Sequence, residues 1–139
     1  MRYYLDTNVL IFVLLSKNRN ELSSDVQLIL DDYSNLFYVS SVVVGELIHA
    51  FKIGGIRDVH NKSVKDLFQN IESLGFEIVP MNKYHLLTYT ALDIATGHKD
   101  PNDHIIISQA ISDRIPIISS DKKFKEYVGQ GLGFVYNKR

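Results

Sequence analysis

Residues 2–15, with the sequence RYYLDTNVLIFVLL, hold the pattern on which the predicted fold rests. Arg2–Leu5 is a short apolar run, which predicts a strand. Asp6 or Thr7 can cap the segment that follows, and Val9–Leu15 then predicts a buried helix. The stretch therefore predicts a strand that ends at an acidic residue and leads directly into a helix.

Strand-like and helix-like segments alternate along the rest of the chain. The further predicted strands are 36–40, 76–79, 115–118 and 134–136. The further predicted helices are 24–33, 41–51, 64–74, 83–95 and 101–111, with a polar loop over 17–21 and a short helical turn over 121–128. This alternation predicts a three-layer α/β/α sandwich with a central, mostly parallel four- to five-stranded sheet. Because no Pro/Gly-rich linker interrupts the pattern, residues 1–139 are predicted to form a single domain.

The composition is that of a folded globular protein, because 45% of the 139 residues are hydrophobic. The absence of cysteine excludes disulfides, thiolate metal sites and cysteine nucleophiles, and is consistent with a reducing compartment. A formal net charge of −1 provides no overall basic field, so a nucleic-acid partner would need local patches and metal. The N-terminal segment lacks a signal-peptide pattern and residues 5–15 are too few to span a bilayer, so we expect a cytoplasmic protein without membrane contact.

Four acidic residues stand at or near the ends of apolar runs, where a parallel sheet would bring them together. Asp6 follows the first predicted strand and Asp121 follows the fourth, so both are expected beyond the carboxyl ends of the strands. Glu46 lies in an apolar helix shortly after the second strand, and Asp103 lies in the first turn of a later helix. Carboxylates gathered at one edge supply the oxygen ligands that a divalent cation needs. The pattern therefore predicts metal-dependent hydrolysis of phosphodiester bonds.

Each of these acids also has an ordinary structural explanation. Asp6 can cap a helix, and the pair Asp100 and Asp103 can cap a helix and complement its dipole. Glu46 can lie on a solvent-exposed face, where a charge needs no partner. Within the pair, Asp103 is favoured as the direct metal ligand and Asp100 as an additional acid, because Asp103 lies just before the apolar residues 105–107.

Two polar residues beside the acids have roles that the residues alone leave open. Ser119 precedes Asp121 by two positions and faces the same way on an extended chain. It can orient a water or a phosphate oxygen, or it can bond the local backbone. Asn8 can hold the loop at Asp6 in shape or contact substrate. Repulsion among the clustered carboxylates is expected to raise some of their pKa values, and a bound cation would relieve it and stabilise the protein.

Four motifs in this order resemble those of the PIN domain, over nearly the full length of the chain. They are YLDTNVL at 4–10, SVVVGEL at 41–47, HKDPNDHIIISQA at 98–110 and ISSDKKF at 118–124. In size and overall pattern the chain is most similar to the VapC-type toxins of type II toxin–antitoxin modules. It departs from many members at His104, where Arg is frequent, and at Ser120, where Asn is frequent.

The resemblance implies an endoribonuclease that uses a cluster of acids to hold Mg²⁺ or Mn²⁺ and to activate a water against an RNA phosphodiester. The residues that match the catalytic and metal-binding acids of the family are Asp6, Glu46, Asp103 and Asp121. Asp100 matches a frequent additional acid, and Ser119 matches a position usually held by Thr or Ser. The resemblance leaves open whether one or two metal ions bind.

The same resemblance implies macromolecular partners. The candidates for contact with the RNA backbone, which include a histidine and several lysines beside the acidic motifs, are His98, Lys99, Lys122, Lys123 and Lys125. The substrate would be tRNA or another structured RNA. A cognate antitoxin and a homodimer are also implied, and the apolar segments 9–15 and 42–51 are candidates for both protein contacts or for ordinary core.

Three other interpretations compete with the toxin. A PIN-type nuclease that processes RNA without an antitoxin would have the same site and would differ in its genomic neighbours. A catalytically silent module that binds RNA or protein is disfavoured by the intact set of four acids. A phosphoacceptor domain of the response-regulator kind is disfavoured because Asp6 lacks the neighbouring acid that such a site needs.

Overall fold

The computed structural model describes residues 1–56 and 60–139, without the side chains of residues 16 and 17. At its centre is a five-stranded parallel sheet with the strand order β3-β2-β1-β4-β5. The strands are β1 (Arg2–Leu5), β2 (Leu36–Ser40), β3 (Glu77–Val79), β4 (Ile117–Ser119) and β5 (Phe134–Tyr136). The predicted α/β/α sandwich is therefore confirmed, and all strand pairs are parallel.

Helices connect the strands and cover the sheet, as parallel strands require. The α-helices are α1 (Thr7–Leu14), α2 (Ser24–Asp31), α3 (Ser41–Lys52), α4 (Val64–Ser73), α5 (Lys83–Ala91) and α6 (Pro101–Asp113). Among the described residues, Ser16–Glu21 and Lys122–Gln130 form 3₁₀ helices. The second of these, which we call the C-terminal 3₁₀ helix, follows β4 and packs against β5 and α6.

The core is built around the inner strands of the sheet. Leu5 in β1 and Ile117 and Ile118 in β4 are fully buried, because these strands have helices on both faces. Helix α1 packs against α3 and β4, and α5 packs against α6. The carboxyl ends of β1, β2 and β4 therefore open toward the start of α1, α3 and the C-terminal 3₁₀ helix.

Side-chain caps explain where several helices begin. Asp6 caps α1 by accepting from the Thr7 backbone N–H, and Ser40 caps α3. Asp100 caps α6, with Pro101 in the first turn, where its missing N–H costs nothing. Asp121 caps the C-terminal 3₁₀ helix. Three of the predicted acidic residues thus cap helices at this edge of the sheet.

Some predicted boundaries are wrong. Residues 17–21, predicted as a polar loop, belong to the first 3₁₀ helix, and the turn predicted at 121–128 extends to Gln130. Helix α5 ends at Ala91 and not at residue 95, because the following loop is held by tertiary bonds. Strand β4 begins at Ile117 and not at residue 115, because Ile115 still bonds the end of α6 through Ala110 and Pro116 has no N–H to donate.

The apolar segments 9–15 and 42–51, candidates for protein contacts, form mainly core. Val9, Leu10, Val43 and Leu47 are buried against the sheet and against each other's helices. Of the two alternatives left open for these segments, the burial therefore favours ordinary core. Within residues 1–56 and 60–139, no helix combines the length and apolar character needed to cross a membrane.

Candidate metal centre

Asp6 lies at the carboxyl end of β1, inside the protein surface. It is 5% exposed. Its Oδ1 accepts from the Thr7 backbone N–H at 2.8 Å, and its Oδ2 accepts from the Ser119 hydroxyl at 2.6 Å. Burial raises the pKa of Asp6 to about 7, repulsion from Asp103 and Glu46 adds to the rise, and the two hydrogen bonds oppose it. Among residues 1–56 and 60–139, no basic side chain bonds the buried Asp6 carboxylate.

Glu46 approaches the same point from α3. Its Oε1 accepts from the Thr7 hydroxyl at 2.8 Å, and Asn102 at the start of α6 also bonds its carboxylate. Burial is the largest cause that raises the pKa of Glu46, followed by repulsion from Asp100 and Asp103. The half-buried carboxylate faces the acidic cluster, so the solvent-exposed alternative does not hold for this residue.

Asp103 is held by a histidine. His98 Nε2 lies 3.0 Å from Asp103 Oδ2, and burial raises the pKa of Asp103, with repulsion from Asp100 and Asp121. His98 Nδ1 lies 2.7 Å from the Tyr127 hydroxyl, which accepts from the Ala95 backbone N–H at 3.1 Å. An ionised carboxylate can only accept, so we assign the His98 proton to Nε2 and let the Tyr127 hydroxyl donate to Nδ1.

Asp121 completes the group from the loop after β4. Its Oδ1 accepts from the Lys123 backbone N–H at 2.9 Å, and its own N–H donates to Ser119 Oγ at 3.0 Å. One ligand atom from each of His98, Asp103 and Asp121 lies within 4.8 Å of the other two. Asp121 and Asp103 are therefore close enough to share one cation.

Electrostatic repulsion links the four predicted acids into one cluster. Asp103 repels Asp6, Glu46 and Asp121, and Glu46 repels Asp6. The four carboxylates come from β1, α3, α6 and the end of β4, which meet at the carboxyl edge of the sheet. The structure thus brings together the residues that the sequence grouped by motif.

The three additional candidates occupy different positions. Asp100 is exposed at the rim, accepts from the Asn102 backbone N–H at 3.0 Å and repels Glu46 and Asp103. Ser119 is buried and does two things at once, because its hydroxyl donates to Asp6 and accepts from the Asp121 backbone. Asn8 lies exposed in the first turn of α1. Ser119 therefore ties two of the acids together.

The donor set fits a hard divalent cation. It consists of carboxylate oxygens, the ligands that Mg²⁺ and Mn²⁺ prefer, and burial and mutual repulsion leave several of them with raised pKa values. His98 offers a nitrogen, but in the assignment above that nitrogen carries the proton donated to Asp103. We therefore place His98 as a residue that orients a ligand.

The predicted contacts with RNA fall into two groups. Lys99, Lys122 and Lys123 are exposed beside the acids, and Lys123 Nζ donates to the Gly97 carbonyl at 3.3 Å. His98 is only 3% exposed and both of its ring nitrogens are bonded inside the protein. This burial argues against the direct RNA contact predicted for His98.

Several residues that shape the site were missed in the sequence. Thr7 and Asn102 bond Glu46, and Tyr127 bonds His98. Thr7 and Asn102 stand next to acidic residues within the quoted motifs, which is a usable signal. Tyr127 is 29 residues from His98 in the chain, and only the packing of the C-terminal 3₁₀ helix reveals its role.

The two departures from the family pattern have structural roles. His104 is buried, contacts the His98 ring edge-on and bonds the His98 carbonyl through Nε2 at 2.9 Å. Ser120 Oγ accepts from the Asn137 side chain at 2.8 Å, and Asn137 also bonds Ser23 and the Glu21 carbonyl. Both residues therefore hold loops that carry site residues.

Comparison with known families identifies the fold that carries this cluster. A family model described as the PIN domain matches residues 3–130. The chain belongs to the PIN domain family. A search of curated proteins by sequence gave no significant match.

Solved structures with the same PIN fold include two VapBC structures, from a family of toxin–antitoxin systems, and one FitAcB structure. One is VapBC2 from Rickettsia felis bound to a DNA fragment from their promoter, with 19% identity, a TM-score of 0.64, and 99% of this chain and 100% of that chain covered. Another is FitAcB from Neisseria gonorrhoeae, with 19% identity, a TM-score of 0.63 and coverage of 97% and 96%. A third is VapBC-1 from nontypeable Haemophilus influenzae, with 23% identity, a TM-score of 0.60 and coverage of 98% of each chain.

Proposed function

We propose that this PIN domain protein is a metal-dependent endoribonuclease and the toxin of a type II toxin–antitoxin pair. The observation that carries the nuclease is the convergence of Asp6, Glu46, Asp103 and Asp121, three of which have raised pKa values. Such a cluster is unfavourable without a cation and has the oxygen donors that Mg²⁺ or Mn²⁺ prefers. Membership of the PIN family supports this chemistry.

In this proposal Asp6, Asp103 and Asp121 hold the metal, with Glu46 as a fourth ligand or as the group that positions the attacking water. When bound, the ion lowers the pKa of that water and offsets charge on the phosphate. Ser119 bonds both the Asp6 carboxylate and the Asp121 backbone and so holds these two residues in position. Thr7 orients the Glu46 carboxylate through a hydrogen bond. His98 orients Asp103.

Substrate binding is assigned to the cations at the rim of the cluster. Lys99, Lys122 and Lys123 are exposed and precede or follow the acidic motifs directly. Because the formal net charge is only −1 and no global basic field exists, these local lysines would hold the phosphates of tRNA or another structured RNA. Asp100 at the rim is proposed to support the metal through its charge.

The test is cleavage of total RNA and of purified tRNA by the wild type, by Asp6→Asn and by Asp31→Asn, each with Mn²⁺, with Mg²⁺ and with EDTA. Asp31 is an exposed acid on α2 and serves as the matched control. We expect metal-dependent cleavage by the wild type and Asp31→Asn and none by Asp6→Asn. Equal cleavage by all three proteins would reveal a contaminating nuclease and contradict the proposed site.

A different failure would point to another function. If Mn²⁺ raises the unfolding temperature of the wild type but no RNA is cut, the silent binding module becomes the better interpretation. Isothermal titration with Mn²⁺ separates these cases, since Asp6→Asn should lose the metal whether or not the protein cleaves RNA. A protein that binds neither metal nor RNA would contradict the proposal entirely.

The toxin assignment rests on the similarity in fold to VapBC structures, which belong to a family of toxin–antitoxin systems. We propose a cognate antitoxin and a homodimer for this chain as well. Coexpression with the product of a small adjacent gene should give a stable complex without nuclease activity. If the complex does not form and expression alone leaves growth unaffected, an RNA-processing nuclease without antitoxin is the better description.

A further inference from the structure

A second cleft beside the acidic cluster combines aromatic rings with lysines. It has a volume of about 610 Å³ and lies between β5 and the C-terminal 3₁₀ helix. Its lining residues are Lys122, Lys125, Val128, Phe134 and Tyr136. We call it the β5 cleft. The volume falls within the ~300–1,000 Å³ of ordinary small-ligand sites.

The aromatic wall of the β5 cleft follows from the position of β5 at the edge of the sheet. Phe134 and Tyr136 are two residues apart, so their rings lie on the same face of the strand, with centroids 6.2 Å apart. Phe124, which is buried, packs against Phe134 from the core side. Tyr136 is 36% exposed and is therefore the ring that a ligand can reach.

In the part of the chain that the structure describes, no acidic residue lines the β5 cleft. Lys122 and Lys125 lie on the C-terminal 3₁₀ helix opposite the rings, and both are exposed. A neighbouring cleft on the other side of this helix contains Asp93 and Glu126 beside its lysines. The β5 cleft thus differs in offering positive charge and aromatic surface without carboxylates.

The cleft adjoins the candidate metal centre through the backbone. Tyr136 pairs with Ser119 in the β4–β5 register, and the Ser119 hydroxyl donates to Asp6. Lys122 directly follows Asp121 and lines the clefts on both sides of the helix. A nucleic-acid chain cut at the acidic cluster would therefore pass within reach of this surface.

We propose that the β5 cleft binds a base of a single-stranded stretch of RNA, next to the bond that is cut. The base stacks on Tyr136, and Lys122 and Lys125 hold the flanking phosphates. Aromatic stacking combined with backbone cations is how proteins hold single strands without reading a specific sequence. This inference rests on the proposed nuclease function, because it assigns part of the substrate to a new position.

The direct test uses the absence of tryptophan from the sequence. Tyr136→Trp places one fluorophore in the β5 cleft, and Tyr33→Trp places one on the fully exposed loop before β2 as the matched control. Each protein is titrated in EDTA with a single-stranded 2′-O-methyl oligouridylate, so that neither metal nor cleavage affects the signal. We expect saturable quenching of the tryptophan at 136 and none of the tryptophan at 33.

Affinity measurements on the otherwise unmodified protein separate the ring from the charges. Tyr136→Ala should weaken binding of the same labelled oligonucleotide about 5- to 20-fold, while Tyr136→Phe should retain binding because the ring remains. Lys125→Ala should weaken binding and reduce the salt slope by about one. Lys65→Ala on α4 is the matched charge control and should change neither. Circular dichroism verifies that each variant is folded.

The outcomes distinguish this inference from the proposed nuclease. Metal-dependent cleavage without quenching at position 136, or with Tyr136→Ala binding as well as the wild type, overturns the β5 cleft and leaves the nuclease standing. Quenching and the Tyr136→Ala loss without any cleavage support the cleft while the nuclease fails. If Tyr136→Ala changes the oligomeric state but not oligonucleotide affinity, the cleft is a protein interface and the proposal is wrong.

Discussion

Two histidine–aspartate pairs in this protein have nearly the same geometry and very different surroundings. His98 Nε2 bonds Asp103 at 3.0 Å in the acidic cluster, and His85 Nε2 bonds Asp113 at 2.9 Å between α5 and α6. His98 Nδ1 meets the Tyr127 hydroxyl, and His85 Nδ1 accepts from the Asn82 backbone N–H at 3.0 Å. In both, the ring is fixed so that Nε2 donates to the carboxylate.

The difference lies in the neighbours of each aspartate. Asp113 Oδ2 also accepts from the Tyr4 hydroxyl at 2.5 Å, and Gln109 links Tyr4 to Ser40, so this network joins β1 and β2 to the α5–α6 pair. Asp103 is instead repelled by Asp100 and Asp121. We therefore propose that the excess of carboxylates, and not the histidine–aspartate pair itself, distinguishes the candidate metal centre from the second pair.

Asparagine substitutions in the two pairs should separate them most strongly. Asp103→Asn is expected to reduce metal-dependent RNA cleavage at least roughly 100-fold, because even residues that only orient a metal ligand commonly contribute 10–100-fold. Its free energy of unfolding in EDTA should stay the same or rise, since a repelled charge is removed. Cleavage rates and urea unfolding measure the two effects. Near-normal cleavage would remove Asp103 from the proposed site.

Asp113→Asn should show the opposite profile. The one remaining oxygen can still accept from both Tyr4 and His85, but the charge that strengthens both hydrogen bonds is lost. Hydrogen bonds to charged groups contribute ~1.5–3 kcal/mol and neutral ones ~0.5–1.5 kcal/mol, so we expect the free energy of unfolding to fall by about 1–2 kcal/mol with cleavage unchanged. Urea unfolding at constant m-value tests this. Loss of cleavage in a fully folded Asp113→Asn would show that the second pair also serves function.

The pH dependence of stability provides a third contrast. Burial raises the pKa of Asp6 to about 7 in the folded protein, while an unfolded aspartate titrates near ~3.9. Between these values the folded state keeps a proton that the unfolded state has released, so the contribution of Asp6 to stability is lost as pH rises toward 7. In EDTA we expect a decline on the order of 2–3 kcal/mol between about pH 5 and about pH 8.

Added Mn²⁺ should reverse this decline at the upper end of the pH range, because the cation binds ionised carboxylates. Asp6→Asn provides the control, since without the titrating group both the decline and most of the metal effect should disappear. Urea unfolding with and without metal measures each curve. Wild-type stability that rises with pH in EDTA would contradict the raised pKa of Asp6.

The acidic cluster could be predicted from the sequence because the local pattern places acids at strand ends and the parallel topology brings those strand ends together. Asp6 follows a buried strand and Asp121 follows β4, and parallel strands bring their carboxyl ends to one edge. Whether the Glu46 side chain faces the acidic cluster or the solvent is harder to predict from the sequence, because an apolar helix with a single acid permits both orientations. Only the packing of α3 against α1, which brings Thr7 to Glu46, decides between them.

Two of the failures, the end of α5 and the burial of His98, have a common physical cause in contacts between distant segments. Helix α5 stops early because the loop after it bonds the C-terminal 3₁₀ helix, through Ala95 to Tyr127 and Asp93 to Gln130. These partners are 32 and 37 residues apart in the chain, so local propensity carries no sign of them. The same loop buries His98, which explains why a residue placed beside two charged neighbours in sequence is not on the surface.

Two buried tyrosine hydroxyls offer the finest comparison, because Tyr127 supports His98 and Tyr4 supports Asp113. Tyr127→Phe removes the donor to His98 Nδ1 and frees the ring to turn away from Asp103. We expect cleavage to fall by up to about tenfold, the lower end of the range for residues that orient a metal ligand. Tyr4→Phe should leave cleavage unchanged and lower the free energy of unfolding by about 1 kcal/mol.

The pair is informative because both substitutions delete one buried hydroxyl and both leave a ring in the core. A general loss of packing would affect the two variants alike, in stability and in cleavage. A selective loss of cleavage in Tyr127→Phe, measured at saturating Mn²⁺ and again at limiting Mn²⁺, would show that the hydroxyl acts through His98 on the metal centre. If Tyr4→Phe loses as much cleavage as Tyr127→Phe, the distinction between the two histidine–aspartate pairs is wrong.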